Sequence, residues 1–292
     1  MPTNQKQKDL LLDSIVYALL FCIMLSTLYP FYYVLVVSFN QGKDSLLGGI
    51  YFWPRTFTLE NYATFLTDAK WYNSLLITVA RTGVGTLLGV LFTCLVAYGL
   101  SHRDLLFRKV YFTVIVFAMY FSGGLIPYYV VLRSLGLLNT FGVYVIPSML
   151  STFFLLIAIS FFREIPIELK ESAYMDGANE FVIFYKIILP VSTPLLATMA
   201  LFLGVGQWNA WLDSAYFVQS DALRTLTFRM MEIINKSNIP IESVGAAASA
   251  TGVTNYSLQV TSMVVSIAPV VCVYPFLQKY FVQGIMLGSV KG

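Results

Sequence analysis

His102, the one histidine of the chain, stands beside Arg103 and Asp104 in a short polar connection, and a lone imidazole builds neither a metal cluster nor a catalytic triad. It reads as a solvated loop residue. Cys22, Cys94 and Cys272 each lie singly inside an apolar run, without the paired spacing of metal or redox sites, and read as inert small hydrophobes. No G-x-x-x-x-G-K-[ST] stretch is present to cradle nucleotide phosphates. Arg81 is different. It lies about 12 Å of helix rise inside an apolar run, where a charge costs several kcal/mol unless paired. It either partners a carbonyl or carboxylate or lines a solute path, and no acidic residue within the apolar runs is an obvious mate.

The elements that must position these residues are membrane helices. Of 292 residues, 58% are hydrophobic and 11% charged, and the mean hydropathy of +0.73 lies outside the range of soluble domains. The net charge of +3 comes with no basic cluster of nucleic-acid type, so nucleic acid is not an expected partner. The expected fold is all-α, a polytopic bundle of six transmembrane helices in one domain over residues 10–292, after a cytoplasmic head of residues 1–9. Spans are expected at about 10–39, 73–100, 110–132, 141–162, 191–211 and 256–278. Tyr51, Trp53, Tyr62 and Trp71, before the second span, suit an interfacial aromatic belt. Arg103, Arg108 and Lys109 make the 101–109 connection basic, and a small excess of Lys and Arg on that side places both termini in the cytoplasm. The 212–255 segment is then an external loop and 163–190 an internal one.

That internal segment, FREIPIELKESAYMDGANEFVIFYKIILP from Phe162 to Pro190, reads as two short helices. Pro166 suits a first helical position, and Gly177 can take the left-handed conformation that closes a helix near Met175. From about Asn179, a second stretch puts Phe181, Phe184, Tyr185 and Ile188 on one broad face, and Pro190 marks a break before the fifth span.

The same segment resembles the EAA loop of ABC importer permeases, EAA-x3-G-x9-I-x-LP, and six of its seven fixed positions match. Glu171, Ala173, Gly177, Ile187, Leu189 and Pro190 stand at the right spacing, and Ser172 replaces an alanine. AYGLS (97–101), IPYYVVLRSLGLLNT (126–140), WNAWLD (208–213) and the ending KYFVQGIMLGSVKG extend the resemblance to the maltose-permease-like, carbohydrate-importing branch.

The resemblance implies a type I importer permease fold in the bacterial cytoplasmic membrane, moving an oligosaccharide or sugar derivative by alternating access. It implies that the EAA loop, with Glu171, Ser172, Ala173, Asp176, Gly177, Ile187, Leu189 and Pro190, docks on a separate ATPase. Two such ATPase subunits, a second homologous permease and an extracellular or periplasmic solute-binding protein complete the machine, the binding protein meeting the external loop before span six. This chain is expected to bind no cofactor and to be no enzyme; ATP and Mg belong to the partner ATPase. On the solute path, Arg81, Tyr120, Trp208 and Asn209 are candidates. Trp208, Asn209 and Trp211 fit interfacial anchoring better than stacking on a sugar. Tyr120, Ser122, Gly123 and Gly124 interrupt span three, where small residues fit close helix packing better than a kink. A permease for amino acids or phosphate is the alternative. A stand-alone secondary transporter fits less well, since the spans hold almost no carboxylates.

Overall fold

Apolar windows with few charges become helices in lipid because backbone donors and acceptors find no partners there but each other. The computed structural model describes residues 3–102, 104–237 and 252–289, and among them there is no strand, only an isolated bridge between Asn40 and Phe57. The helices are α1 (Thr3–Ser38), α2 (Gly42–Leu46), α3 (Glu60–Thr67), α4 (Ala69–Ser101), α5 (Arg108–Tyr120), α6 (Leu125–Ser134), α7 (Gly142–Val145) and α8 (Thr152–Glu164). There follow α9 (Glu168–Met175), α10 (Glu180–Ile183), α11 (Leu189–Val191), α12 (Thr193–Asn209), α13 (Leu212–Phe217), α14 (Leu226–Ser237) and α15 (Asn255–Ser289). A π-helical turn, Phe184–Ile188, joins α10 to α11.

Three segments are each long and apolar enough to cross a membrane as single helices: Asp9–Ser38, Ala69–Ser101 and Asn255–Val273. Three more qualify as bent pairs, α5 with α6 at 116°, Gly142–Ser148 with α8 at 44°, and Glu180–Val191 with α12 at 82°. The count reaches the expected six when each bent pair is one span. The third span is therefore not the continuous 110–132 helix expected from sequence. It breaks at Phe121–Gly124, where Gly124 has φ +81° and a Cβ placed on it would touch nothing. The small residues there open a turn rather than permit close packing.

The chain divides into two compact units, one drawn from Met1–Asp68 with Met230–Ile267, the other from Ala69–Arg229 with Ala268–Gly292. In the first, Val36 and Val37 at the end of α1 pack with Ile50 and Val260. Beside them, buried Asn61 donates to the carbonyls of Ser38 (3.0 Å) and Asn40 (2.9 Å), and Asn40 accepts from the Thr56 amide at 2.8 Å. These bonds occupy backbone groups that would otherwise be orphaned where α1 ends. Of the expected aromatic belt, Tyr51 and Trp53 are exposed, but Tyr62 shares a 2.7 Å hydrogen bond with Ser38 and Trp71 is buried at the start of α4.

The second unit is built around α4. Gly85, Gly89, Thr93, Ala97 and Ser101 recur every fourth residue, giving one face small enough for α12 and α8 to approach. Leu203 lies 3.5 Å from where a Cβ on Gly89 would be. Nearer its C-terminus, Cys94, Ala97 and Tyr98 join Leu155, Ala158, Ile159 and Phe162 of α8 in one core, which also takes in Ala173, Ile183, Phe184, Ile188 and Leu189. Arg163 closes this end by donating to the Leu100 carbonyl at 3.1 Å, a cation on the negative end of the helix.

Candidate functional site

Two regions gather the chemistry-bearing residues, the 163–190 segment and the neighbourhood of Arg81. In the first, α9 begins at Glu168, two residues beyond Pro166, and closes in a Schellman turn. The Gly177 amide donates to the Tyr174 carbonyl (3.0 Å), the Ala178 amide to that of Ala173 (2.9 Å), and Gly177 sits at φ +78°. The next helix is capped by Asn179, whose side chain accepts from the Val182 amide at 2.9 Å.

The expected single aromatic face is split. Phe184 and Ile188 are buried, whereas Phe181 and Tyr185 are exposed, and the π-turn Phe184–Ile188 interrupts the regular helical spacing. Pro190 lies inside the short α11, and the break falls at Ser192, whose amide reaches both Ile188 and Leu189 carbonyls. Of the EAA positions, Ala173 and Leu189 are buried in the core and Ile187 packs against it; Glu171, Ser172, Asp176, Gly177 and Pro190 are exposed. Met175, at 89% exposure, stands at the tip. The segment thus has an apolar underside locked into the helices and a polar, methionine-tipped outer surface.

Glu180 ties this segment to α4. Its carboxylate accepts from the Tyr98 hydroxyl at 2.5 Å and from the Tyr174 hydroxyl, and its Oε1 lies 3.4 Å from His102 Nε2. Burial pushes the Glu180 carboxyl up, but the hydrogen bonds from Tyr174 and Tyr98 outweigh it and hold the acid below its ordinary range. His102 is not the solvated loop residue expected: its Nδ1 is 2.9 Å from the Tyr98 carbonyl and its ring packs edge-on against Tyr98. Neither residue occupies a fixed position of the EAA pattern, so spacing alone did not select them.

Arg81 finds the mate that the spans did not show. Its guanidinium donates from Nε to Gln207 Oε1 (2.8 Å), from Nη1 to the Ala210 carbonyl (3.1 Å) and from Nη2 to Asp213, and it stacks 4.7 Å over the Tyr144 ring. Its side chain is 3% exposed and that of Asp213 25%. Asp213 comes from α13, just past the fifth span, inside the WNAWLD stretch. A search for carboxylates within a few residues of the span ends would have found it. Gln207 Nε2 continues the network to Ser148 Oγ at 2.6 Å.

A cavity of about 260 Å³ lies against this network, lined by Arg81, Ser148, Gln207 and Phe202 among others. A second, of about 370 Å³, is lined by Asn209, Trp211 and Asp213 and shares Gly206 and Ala210 with the first. Arg81 lines the first cavity and Asn209 the second. Trp208 lines neither cavity: it is 6% exposed, its indole turned into the fold. Tyr120 ends α5 at 76% exposure and lines neither cavity. The expected 212–255 external loop holds α13 and α14; its residues 238–251, like the side chains of the KYFVQGIMLGSVKG ending, lie outside the described residues.

Comparison with known proteins gives the same reading over most of the chain. The polygalacturonan/rhamnogalacturonan transport system permease protein YtcP of Bacillus subtilis (strain 168) is 35% identical over 285 residues, covering 98% of this chain and 100% of the relative. The arabinooligosaccharides transport system permease protein AraQ of Halalkalibacterium halodurans is 29% identical, covering 90% and 91%. A chain in the crystal structure of a bacterial ABC transporter involved in the import of the acidic polysaccharide alginate superposes with a TM-score of 0.86 at 28% identity, covering 94% of this chain and 98% of that one. The model of the family described as binding-protein-dependent transport system inner membrane component matches residues 85–287, which take in the second half of α4, the EAA segment and Gln207 and Asp213, the partners of Arg81. A multi-pass helical chain with that segment and those relatives belongs to the inner membrane components of binding-protein-dependent transport systems.

Proposed function

We propose that this chain is the permease subunit of an ATP-binding-cassette importer that moves an oligosaccharide or sugar derivative across the bacterial cytoplasmic membrane. The observation that carries the reading is the 163–190 segment, rooted in the core through Ala173, Ile183, Phe184 and Leu189 while its outer surface ends on exposed Met175. A short helix pair held this way moves with the bundle when pushed from outside. The relatives named for oligosaccharide transport and the alginate importer support a carbohydrate cargo.

In this reading the segment and both termini face the cytoplasm, and the segment docks on one of two separate ATPase subunits that hold ATP and its Mg ion. Glu171, Ser172, Asp176 and Gly177 form its docking surface, Ala173, Ile187 and Leu189 its root, and Pro190 the start of the bend into the fifth span. A second homologous permease and an external binding protein complete the assembly; a related structure contains a periplasmic protein bound to an alginate pentasaccharide. The cavities beside Arg81 and Asp213 form this subunit's share of the solute path, with Asn209 and Trp211 as contacts and Arg81 as the buried support of Asp213.

Purification from the native host in mild detergent tests the reading. A nucleotide-binding subunit and a second permease are expected to co-purify, and reconstituted complex with its binding protein to take up oligosaccharide in an ATP-dependent way. A chain that purifies alone and transports without ATP overturns it.

A further inference from the structure

We propose that Glu180 is a positioning residue that latches the EAA segment to α4, so that a push on the segment is delivered along α4 to the Arg81–Asp213 pair. This rests on the importer reading of the segment. The apolar underside of the segment cannot fix direction by itself, because dispersion contacts between Ile183, Phe184 and Tyr98 are non-directional and tolerate sliding. The carboxylate of Glu180 removes that freedom. It receives Tyr98 from the last turns of α4, Tyr174 from α9 and faces His102 just past the end of α4, while the Lys170 ammonium lies 4.9 Å over the Tyr98 ring. Three helices, α4, α9 and α10, thereby meet on one acid, and charge-assisted hydrogen bonds are short and directional.

Glu180 is also released from the task its position suggests. As the first residue of α10 it would serve the helix N-terminus, but Asn179 already supplies the cap, and the Glu180 side chain reaches across to α4 instead. From Tyr98, α4 runs unbroken back to Arg81, about 25 Å at 1.5 Å per residue. An unbroken helix packed on α12 and α8 carries a displacement along its axis, and 17 residues before Tyr98 it holds the buried guanidinium that fixes Asp213 at the solute cavity.

The test uses the assembled importer in proteoliposomes with its binding protein, measuring uptake and ATP hydrolysis in the same samples. Glu180→Ala is expected to lower solute moved per ATP hydrolysed by about tenfold, the scale of losing charge-assisted hydrogen bonds. Hydrolysis should stay within about twofold, the KM for loaded binding protein should not change, and the ATPase should still co-purify. Glu168→Gln, an exposed acid on α9, is the control and should leave the ratio unchanged. The Tyr98→Phe/Tyr174→Phe pair keeps the acid and both rings and should uncouple in the same way; it decides the matter if the alanine variant does not accumulate in the membrane. A transport-to-hydrolysis ratio that is unchanged, or uptake and hydrolysis that fall in proportion, overturns the latch. Failure of the unmodified chain to co-purify with an ATPase overturns the importer reading itself, a distinct result.

Discussion

Arg81 and Asp213, 132 positions apart in sequence, form an ion pair in which the cation is buried and the acid opens on a cavity. Removing the acid leaves a buried guanidinium with Gln207, the Ala210 carbonyl and the Tyr144 ring beside it but no charged partner among them. Asp213→Ala should therefore destabilise by about 3 kcal/mol, the usual cost of breaking a buried pair from one side. Thermal unfolding in detergent measures this, and the Arg81→Met/Asp213→Ala double variant should recover more than half of the loss, since no unpaired charge remains.

Gly177 closes α9 at φ +78°, and a Cβ there would meet nothing within 4 Å. Any penalty for substitution is thus a backbone penalty, about 1–2 kcal/mol for an ordinary side chain in the left-handed region. Gly177→Val should weaken co-purification of the ATPase, whereas Gly177→Asn, which tolerates that region, should retain most of it. Equal loss in both would point to contact with the glycine surface rather than to the turn.

Gly124 at φ +81° and ψ −178° occupies backbone space reserved for glycine. Gly124→Ala should lower stability by about 2 kcal/mol, within the range for such strained residues. The adjacent Gly123→Ala, whose Cβ would make an ordinary 3.4 Å contact with Pro127, should cost much less. Melting temperatures of the purified variants, compared side by side, report the difference.

The Glu180 latch should be confined to a pH window. Its carboxyl is held below the ordinary 4.5, so the latch's contribution is complete above that value and is lost as pH falls through the lower folded pKa. Tyr174 is pushed up to about 12 by its hydrogen bond to Glu180, so its share is complete below the ordinary 10.0 and lost as pH rises through about 12. Ultraviolet titration of tyrosine ionisation, wild type against Tyr174→Phe, should show one phenol titrating late. In Glu180→Gln that late step should move back towards 10.0. Lys170 and His102, which also face the cluster, stay in both samples.

What sequence alone determined is what depends on local composition. Long apolar windows specified helices and a lipid surrounding, because every backbone group in lipid must be satisfied within its own segment. The spacing from Glu171 to Pro190 specified the EAA segment, and Gly177 its turn, because a left-handed cap is a one-residue property. The tertiary structure decided everything that depends on distant partners. The mate of Arg81 lies outside the spans, the indole of Trp208 turns inward, and His102, half-buried, faces a glutamate 78 positions on. Gly124 breaks span three rather than packing it, since only the folded chain shows that nothing lies against it. A residue's type limits which bonds it can make, but which partner satisfies a buried charge is settled by where the helices bring the chain together.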